Sequence, residues 1–279
     1  MSRQPHSSTV PRADTVTAAA MPPKSSREGH SARSIMLARV TFLLMLGVLW
    51  QVTALGVGAN ILPTPAQTLE AAQRLVATGR LGTALRDSLS VYLSGYALAA
   101  AAGVFTGVIM GAWRLLGKTL ELYAFALAAT PRIAFIPMII VVLGLGFEAK
   151  VFIVFLGAVM PVLINTYAGV QAADEELVEM ARATGAGQAR IFTQIVLPGA
   201  LPYVVAGLRL GATIGLINTV VAELYTAVSG LGGLLALYGN TFRMAEYFVV
   251  VLTLAGIGVI VTETLRRLEA RVSRWRLRG

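Results

Sequence analysis

Cysteine is absent from the 279-residue chain, which excludes disulfides, thiolate metal sites and a cysteine nucleophile. Histidine is nearly absent. His6 and His30 both lie in the polar N-terminal stretch, so no imidazole in the body of the chain can act as general base, metal ligand or proton relay. Charge is scarce as well: Asp, Glu, Lys and Arg make up 13% of the residues against 56% apolar ones, and the mean hydropathy is +0.72. A soluble globular chain carries about 25% charged residues. At half that density the charges cannot cover a water-facing surface of this size, so most of the surface must meet lipid. A phosphate loop is also missing. The nearest stretch, Gly111 to Thr119, has five residues between its glycines where the motif has four, and it follows an apolar run, not a strand. The chain is therefore not expected to be an enzyme, and no catalytic residue, metal ligand or cofactor site is expected within it.

What is present is a series of long apolar runs. A helix needs about 20 apolar residues to cross about 30 Å of hydrocarbon. That ruler finds spans near Val40–Gly58, Leu89–Ala112, Leu122–Leu145, Val151–Val170, Tyr203–Val228 and Tyr247–Val261, the last short and with room to begin earlier. The expectation is an all-α, polytopic membrane protein with about six transmembrane helices. Between the first two spans, Ile61–Asp87 opens on Leu62-Pro63-Thr64-Pro65 and reads as a polar helical segment. Residues 1–34, rich in Ser, Pro, Ala and Arg, read as a disordered cytoplasmic tail, and 35–265 as the transmembrane domain. Residues 266–279 read as a basic cytoplasmic tail held by anionic lipid headgroups, a better use of the charge than nucleic acid.

The positive-inside rule orients the spans. Of the 23 Lys and Arg, sixteen fall in the inner segments if both termini are inside. Five (Arg74, Arg80, Arg86, Lys150 and Arg243) fall outside, and Arg132 and Arg209 lie within spans.

Small residues recur every four positions on two spans: Gly95, Ala99, Gly103, Gly107 and Gly111 on the second, and Gly207, Gly211 and Gly215 on the fifth. Such stripes let helix backbones approach closely in lipid. Packing within the bundle is the first reading, with a seam between two subunits as the alternative.

The loop between the fourth and fifth spans, 171–200, is too polar to span and too patterned to be slack. Asp174 is placed to cap a helix, and Glu175 and Glu176 put negative charge in its first turn, where the helix dipole favours it. Gly185 is placed as the residue just past the helix end, Gly187 loosens the turn, and a second short helix is expected from about Arg190 to Leu197, before Pro198 and Pro202. A helix–glycine–helix across the inner membrane face reads as a docking element.

Within it, Glu179-Met180-Ala181, then Gly185, then Ile195-Val196-Leu197-Pro198 resembles the signature of the permeases of binding-protein-dependent ABC importers, with every spacing kept and Met180 where the pattern has Ala. Further stretches are similar to the nitrate, sulfonate and taurine branch of that family, which includes relatives proposed to import pyrimidine precursors of thiamine. They include Thr130-Pro131-Arg132, Gly207-Leu208-Arg209, Val221-Ala222-Glu223 and Gly230-Leu231-Gly232. The resemblance implies the type I importer fold, and a loop that seats in an ATP-binding cassette ATPase through Glu179, Met180, Ala181, Gly185, Ile195, Leu197 and Pro198. It implies a second, identical permease subunit and a periplasmic or lipid-anchored solute-binding protein. ATP and Mg would be held by the ATPase, and the chain would sit in the bacterial inner membrane.

Ionisable groups inside a span are costly, about 2.5–3.5 kcal/mol at the bilayer centre on insertion scales. Arg132 has three readings: a positive group for an anionic solute, a partner for a carboxylate such as Glu223, or a side chain reaching the interface. Arg209 is expected to snorkel. Glu223 is expected either to face the pathway or to reach the headgroups. Asn165 and Asn218 are expected to hydrogen-bond between helices, with pathway lining second. An ion-coupled secondary transporter is the rival function. It would be expected to show internal inverted repeats, and the sequence has none.

Overall fold

The computed structural model describes residues 32–58 and 60–272, and all elements among them are helices. The first helix, α1 (Ala32–Val57), belongs to two compact units that divide between Leu46 and Gly47. In the first unit Met36, Phe42 and Leu44 stand exposed, as on a helix whose solvent is lipid. The expected tail 1–34 lies outside the described residues up to 31, and 32–34 already belong to the helix.

In the second unit α1 continues with Trp50, whose ring stacks 6.0 Å from Phe248 and whose indole N–H donates to the carbonyl of Pro63 at 2.9 Å. Next comes α2 (Pro65–Ala77), capped by Thr64 and Gln67 in a reciprocal capping box with Pro65 opening the helix. Gly79, at φ +71°, turns the chain into α3 (Arg80–Ala112). Arg80–Asp87 is therefore the first two turns of α3 and not part of a separate polar segment.

The third expected span, Leu122–Leu145, is not continuous. It forms α4 (Arg114–Ala129), a tight 3₁₀ turn at Arg132–Phe135, and α5 (Ile136–Leu143), with a 77° bend between the halves. Pro131 supplies the reason, because it removes a helical N–H and pushes Thr130 to an extended conformation (φ −71°, ψ 132°). After a turn through Gly144, at φ +79°, α6 (Phe147–Gln171) follows. Beyond the 171–200 loop come α9 (Leu197–Thr226), the short α10 (Gly230–Asn240) and α11 (Met244–Val272). Five of these stretches are long and apolar enough to cross a membrane, and the broken pair makes a sixth. The last span begins at Met244 and its helix carries on to Val272, since Glu263 pairs with Arg266 and Arg267 one turn on, each at 2.8 Å. Of the basic tail, 273–279 lies outside the described residues.

Helix α6 is the centre of the bundle, with α3 on one side and α9 on the other. Both glycine stripes turn toward it. A Cβ on Gly95 would lie 2.6 Å from the Cβ of Val154, and one on Gly103 would lie 2.8 Å from the Cβ of Val162. On α9, Gly207 meets Asn165 at 2.8 Å and Gly211 meets Val162 at 2.6 Å. The stripes are packing surfaces within this chain, and the reading as a seam between subunits does not hold for them.

Gly103→Val should therefore lower the melting temperature of the detergent-solubilised protein by an amount matching about 1–3 kcal/mol of overpacking. Gly56→Ala, where a Cβ would meet nothing within 4 Å, should leave it unchanged. Equal melting of both variants would contradict this packing.

Candidate functional site

The loop leaving α6 forms α7 (Glu175–Ala183). Asp174 caps it, its carboxylate accepting from the backbone N–H groups of Glu176 at 3.0 Å and Leu177 at 3.3 Å. The far end closes through Gly185 at φ +83°: its N–H donates to Arg182 O at 2.9 Å and that of Ala186 to Ala181 O at 3.0 Å. This double closure needs a left-handed residue at the turn, which glycine adopts without strain. No residue of α7 is buried, and Leu177 and Met180 are 44% and 59% exposed beside Glu175, Glu176 and Glu179. Two apolar side chains therefore stand on an acidic helix that none of the described residues covers.

The second half of the loop differs from the expected separate helix. α8 (Gln188–Ile191) runs through a wide π turn, Phe192–Val196, straight into α9, so that Gln188–Thr226 is one continuous rod. In a regular helix the ring of Pro198 would collide with the carbonyl four residues back. The π turn, in which the Leu197 N–H reaches Phe192 O, makes room for it. Of the signature residues, Glu179, Met180, Gly185 and Pro198 are exposed, and Ala181, Ile195 and Leu197 are half-buried. Ala181, Gly185 and Ile195 line one cleft of about 350 Å³, closed by Arg190, Ile191 and Gln194. A Cβ on Gly185 would meet nothing within 4 Å among the described residues.

At the opposite end of α9, Glu223 neither reaches the surface nor opens on a cavity: it is 0% exposed. Its carboxylate accepts from the hydroxyl of Ser88 on α3, 2.8 Å from each oxygen, and from the N–H of Gly232 at 2.9 Å. Ser88 Oγ in turn accepts the N–H of Leu231 at 2.8 Å. Side chains from two other helices, Ser88 remote in sequence and Glu223 nine residues before Gly232, thus satisfy two of the free N–H groups in the first turn of α10. Gly230 lies against the Glu223 carboxylate so closely that no side chain fits there. Lys150, 3% exposed, completes the cluster by donating to Ser229 Oγ at 2.8 Å. Counted in sequence as an outer-flank cation, it is a buried donor in the fold. Neither α10 nor the roles of Ser88, Lys150 and Ser229 were expected. The only sequence signals were a Ser-Gly-Leu-Gly turn after a span and a lysine beside one.

The remaining intramembrane residues are spread along the bundle. Arg132 does not pair with Glu223: its guanidinium donates to backbone carbonyls, those of Leu156 at 2.9 Å, Gly157 at 3.0 Å and Ala128 at 3.4 Å. Asn165 and Asn218 lie on the α6–α9 seam, and each donates its amide N–H to the carbonyl four residues back on its own helix at 2.8 Å. Asn218 packs on Gly157, and Asn165 on Gly207. Arg209, its side chain 46% exposed, has a partner. It forms an ion pair with Glu269 of α11 at 2.7 Å.

Residues 84–274 match the family of binding-protein-dependent transport system inner membrane components, which covers the bundle, the loop and α10 together. The chain belongs to that family. Among curated relatives, the permease is 33% identical over 246 residues to a putative aliphatic sulfonates transport permease protein, SsuC, of Escherichia coli K12, covering 86% of this chain and 93% of that one. It is 30% identical over 260 residues to the taurine transport system permease protein TauC of the same organism, covering 88% and 91%. Among solved structures, the inward-facing MetNI methionine ABC transporter shares the fold, with a TM-score of 0.62 at 19% identity, covering 71% of this chain and 98% of that one.

Two substitutions test the permease's two ends separately. Asp174→Ala should speed amide hydrogen exchange at Glu176 and Leu177 about fivefold, as the loss of a cap worth about 1 kcal/mol requires. It should leave the melting temperature of the bundle alone. Glu223→Ala should lower that melting temperature by leaving Ser88 and Gly232 without an acceptor, at a cost of about 1–3 kcal/mol.

Proposed function

We propose that this permease forms, with a second copy of itself, the transmembrane pathway of an ATP-driven importer. In this reading it is powered by ATP-binding cassette subunits on the inner face and supplied by a solute-binding protein on the outer face. The chain spans a bacterial inner membrane with both termini on the cytoplasmic side. ATP and Mg are held by the ATPases, which do the hydrolysis. The observation that carries this is α7: a rigidly capped helix with exposed Leu177 and Met180, fixed between α6 and the continuous rod of α8 and α9. A partner that moves α7 moves two of the three central helices with it. Glu179, Met180, Ala181, Gly185, Ile195, Leu197 and Pro198 form the contact on this proposal.

The solute on this reading is a small anion of the sulfonate class, with taurine and nitrate in the same group. The support is the similarity to a sulfonate and a taurine permease. Asn165 and Asn218, half-buried on the α6–α9 seam, are the proposed polar lining of the pathway. Arg132 and Glu223, bound to groups of this chain, hold together the helices around it.

Cells lacking the gene, compared with complemented cells, test the reading with labelled taurine, an alkanesulfonate, nitrate and a pyrimidine precursor of thiamine. Sulfonate or taurine uptake should be lost in the deletion and restored by the wild type. Gly185 is exposed and its φ of +83° strains any side chain there, so Gly185→Asp should disturb only the turn that closes α7, reach the membrane in normal amount and yet fail to restore uptake. Normal uptake by that variant would overturn the ATPase-contact role. Loss of pyrimidine uptake alone would overturn the anion assignment. Uptake that collapses with the proton gradient while ATP is maintained would favour the ion-coupled alternative.

A further inference from the structure

The break in the third span and the proline inside α6 sit side by side, and one side chain joins them. Pro161 has no N–H to give to the carbonyl of Gly157, four residues earlier, so the ladder of α6 is open at that carbonyl. On the other helix, Pro131 stops α4. Thr130 N–H is shared between Ala126 O at 3.1 Å and Leu127 O at 3.3 Å, which leaves Ala128 O with no helical donor after it. Gly157 O and Ala128 O are thus two carbonyls that prolines have opened, one on each side of a helix interface. Water cannot satisfy such groups at membrane depth, so a protein donor must. The guanidinium of Arg132 reaches both, and Leu156 O as well. Its several N–H groups, fixed in one plane and always charged, suit it to bind carbonyls from two helices at once.

The position of this tie gives it a consequence beyond stability. Arg132 stands at the start of the turn that leads into α5. That half-span buries Ile136 and Ile139 against Ala149 and Ile153 of α6 and Ala222 of α9, while Met138, Val141 and Val142 remain exposed. Ile136, Ile139, the half-buried Ile140 and one guanidinium hold it. On its other side Gly157 carries Asn218 of α9, so one turn of α6 receives the broken span and α9 together.

We propose that Arg132 is a positioning residue of transport: it fastens the broken span to the opened turn of α6, so that when α6 and α9 move, α5 moves with them. This rests on the reading of the chain as an importer permease. The guanidinium is spent on backbone carbonyls and does not serve as the binding group for the solute.

The test uses the assembled transporter in its membrane, with Arg132→Met, Arg132→Lys, Pro161→Ala and the Arg132→Met/Pro161→Ala double variant. Amide exchange and melting need no solute. Arg132→Met should speed exchange in residues 139–143 at least tenfold and lower the melting temperature. Pro161→Ala, which returns a helical N–H to Gly157 O, should recover most of that melting loss in the double variant. If the two substitutions are additive, the guanidinium does not serve the carbonyl that Pro161 opens, and the proposal falls. In uptake measured per folded transporter, Arg132→Met should lower the maximal rate at least tenfold with KM for the solute within about threefold. Arg132→Lys should fall between. An unchanged rate per folded transporter would make the tie merely structural and overturn the proposal. So would a raised KM that Lys restores, since that pattern marks charge contacting an anion. If the wild type imports none of the solutes, the importer reading fails on its own, and the exchange and double-variant results still decide whether the tie exists.

Discussion

In lipid, an apolar side chain gains little by leaving acyl chains for another helix, so hydrophobicity puts helices into the membrane without bringing them together. The step that organises this protein is the close approach of α3 and α9 to α6, and glycine makes it possible. At Gly95, Gly103, Gly207 and Gly211 there is no room for a methyl group, because the Cβ atoms of Val154, Val162 and Asn165, or the Cγ2 of Val162, already lie within 2.6–2.8 Å of where it would stand. Dispersion between backbones at that range replaces the missing hydrophobic force. Once α3, α6 and α9 are fixed in this way, the features at both ends inherit their positions. The loop is suspended between the ends of α6 and α9. Ser88, Lys150 and Glu223, one from each helix, converge at the other end.

The parts of this arrangement that repeat at short range were legible in the sequence. Four-residue spacing revealed both stripes, run length revealed the spans, and the local chemistry of Asp174 and Gly185 revealed α7, whose two ends close as those residues require. The resemblance carried by residues 179–198 was enough to place the chain in its family. Features that depend on pairs far apart were not legible. α10 is short and glycine-rich, and its first turn is satisfied by residues on other helices, Ser88 143 residues from Leu231 among them. Glu223 beside an apolar run looks the same in sequence whether it reaches a headgroup or a serine. A proline such as Pro131 interrupts a helix, but a 77° bend depends on what α5 packs against, which periodicity does not record. Pro198 carried the opposite lesson, because a π turn lets the rod continue where sequence reasoning ends a helix.

Two of the long-range polar ties, that of Arg132 and that of Ser88 with Glu223, sit where a backbone ladder has been opened. Arg132 answers Pro131 and Pro161, and Ser88 and Glu223 answer the free first turn of α10. Such groups are costly at membrane depth, but an open carbonyl or N–H there is costly too, and pairing the two removes both penalties. This explains why charge is so scarce in the chain and yet occurs at these positions. The loop obeys the reverse logic. In water, α7 can cap itself locally with Asp174 and Gly185 and has no need of remote partners, so its outer surface stays uncommitted. Leu177, Met180 and Glu179 are left facing outward on a helix whose ends are rigid. The spans are thus fastened to one another through backbone groups, while the segment joining two of them offers side chains to something else. A machine that converts a push on its surface into a movement of its bundle needs that division of labour, because a loop buried in its own chain could receive no push, and a bundle without ties could not transmit one.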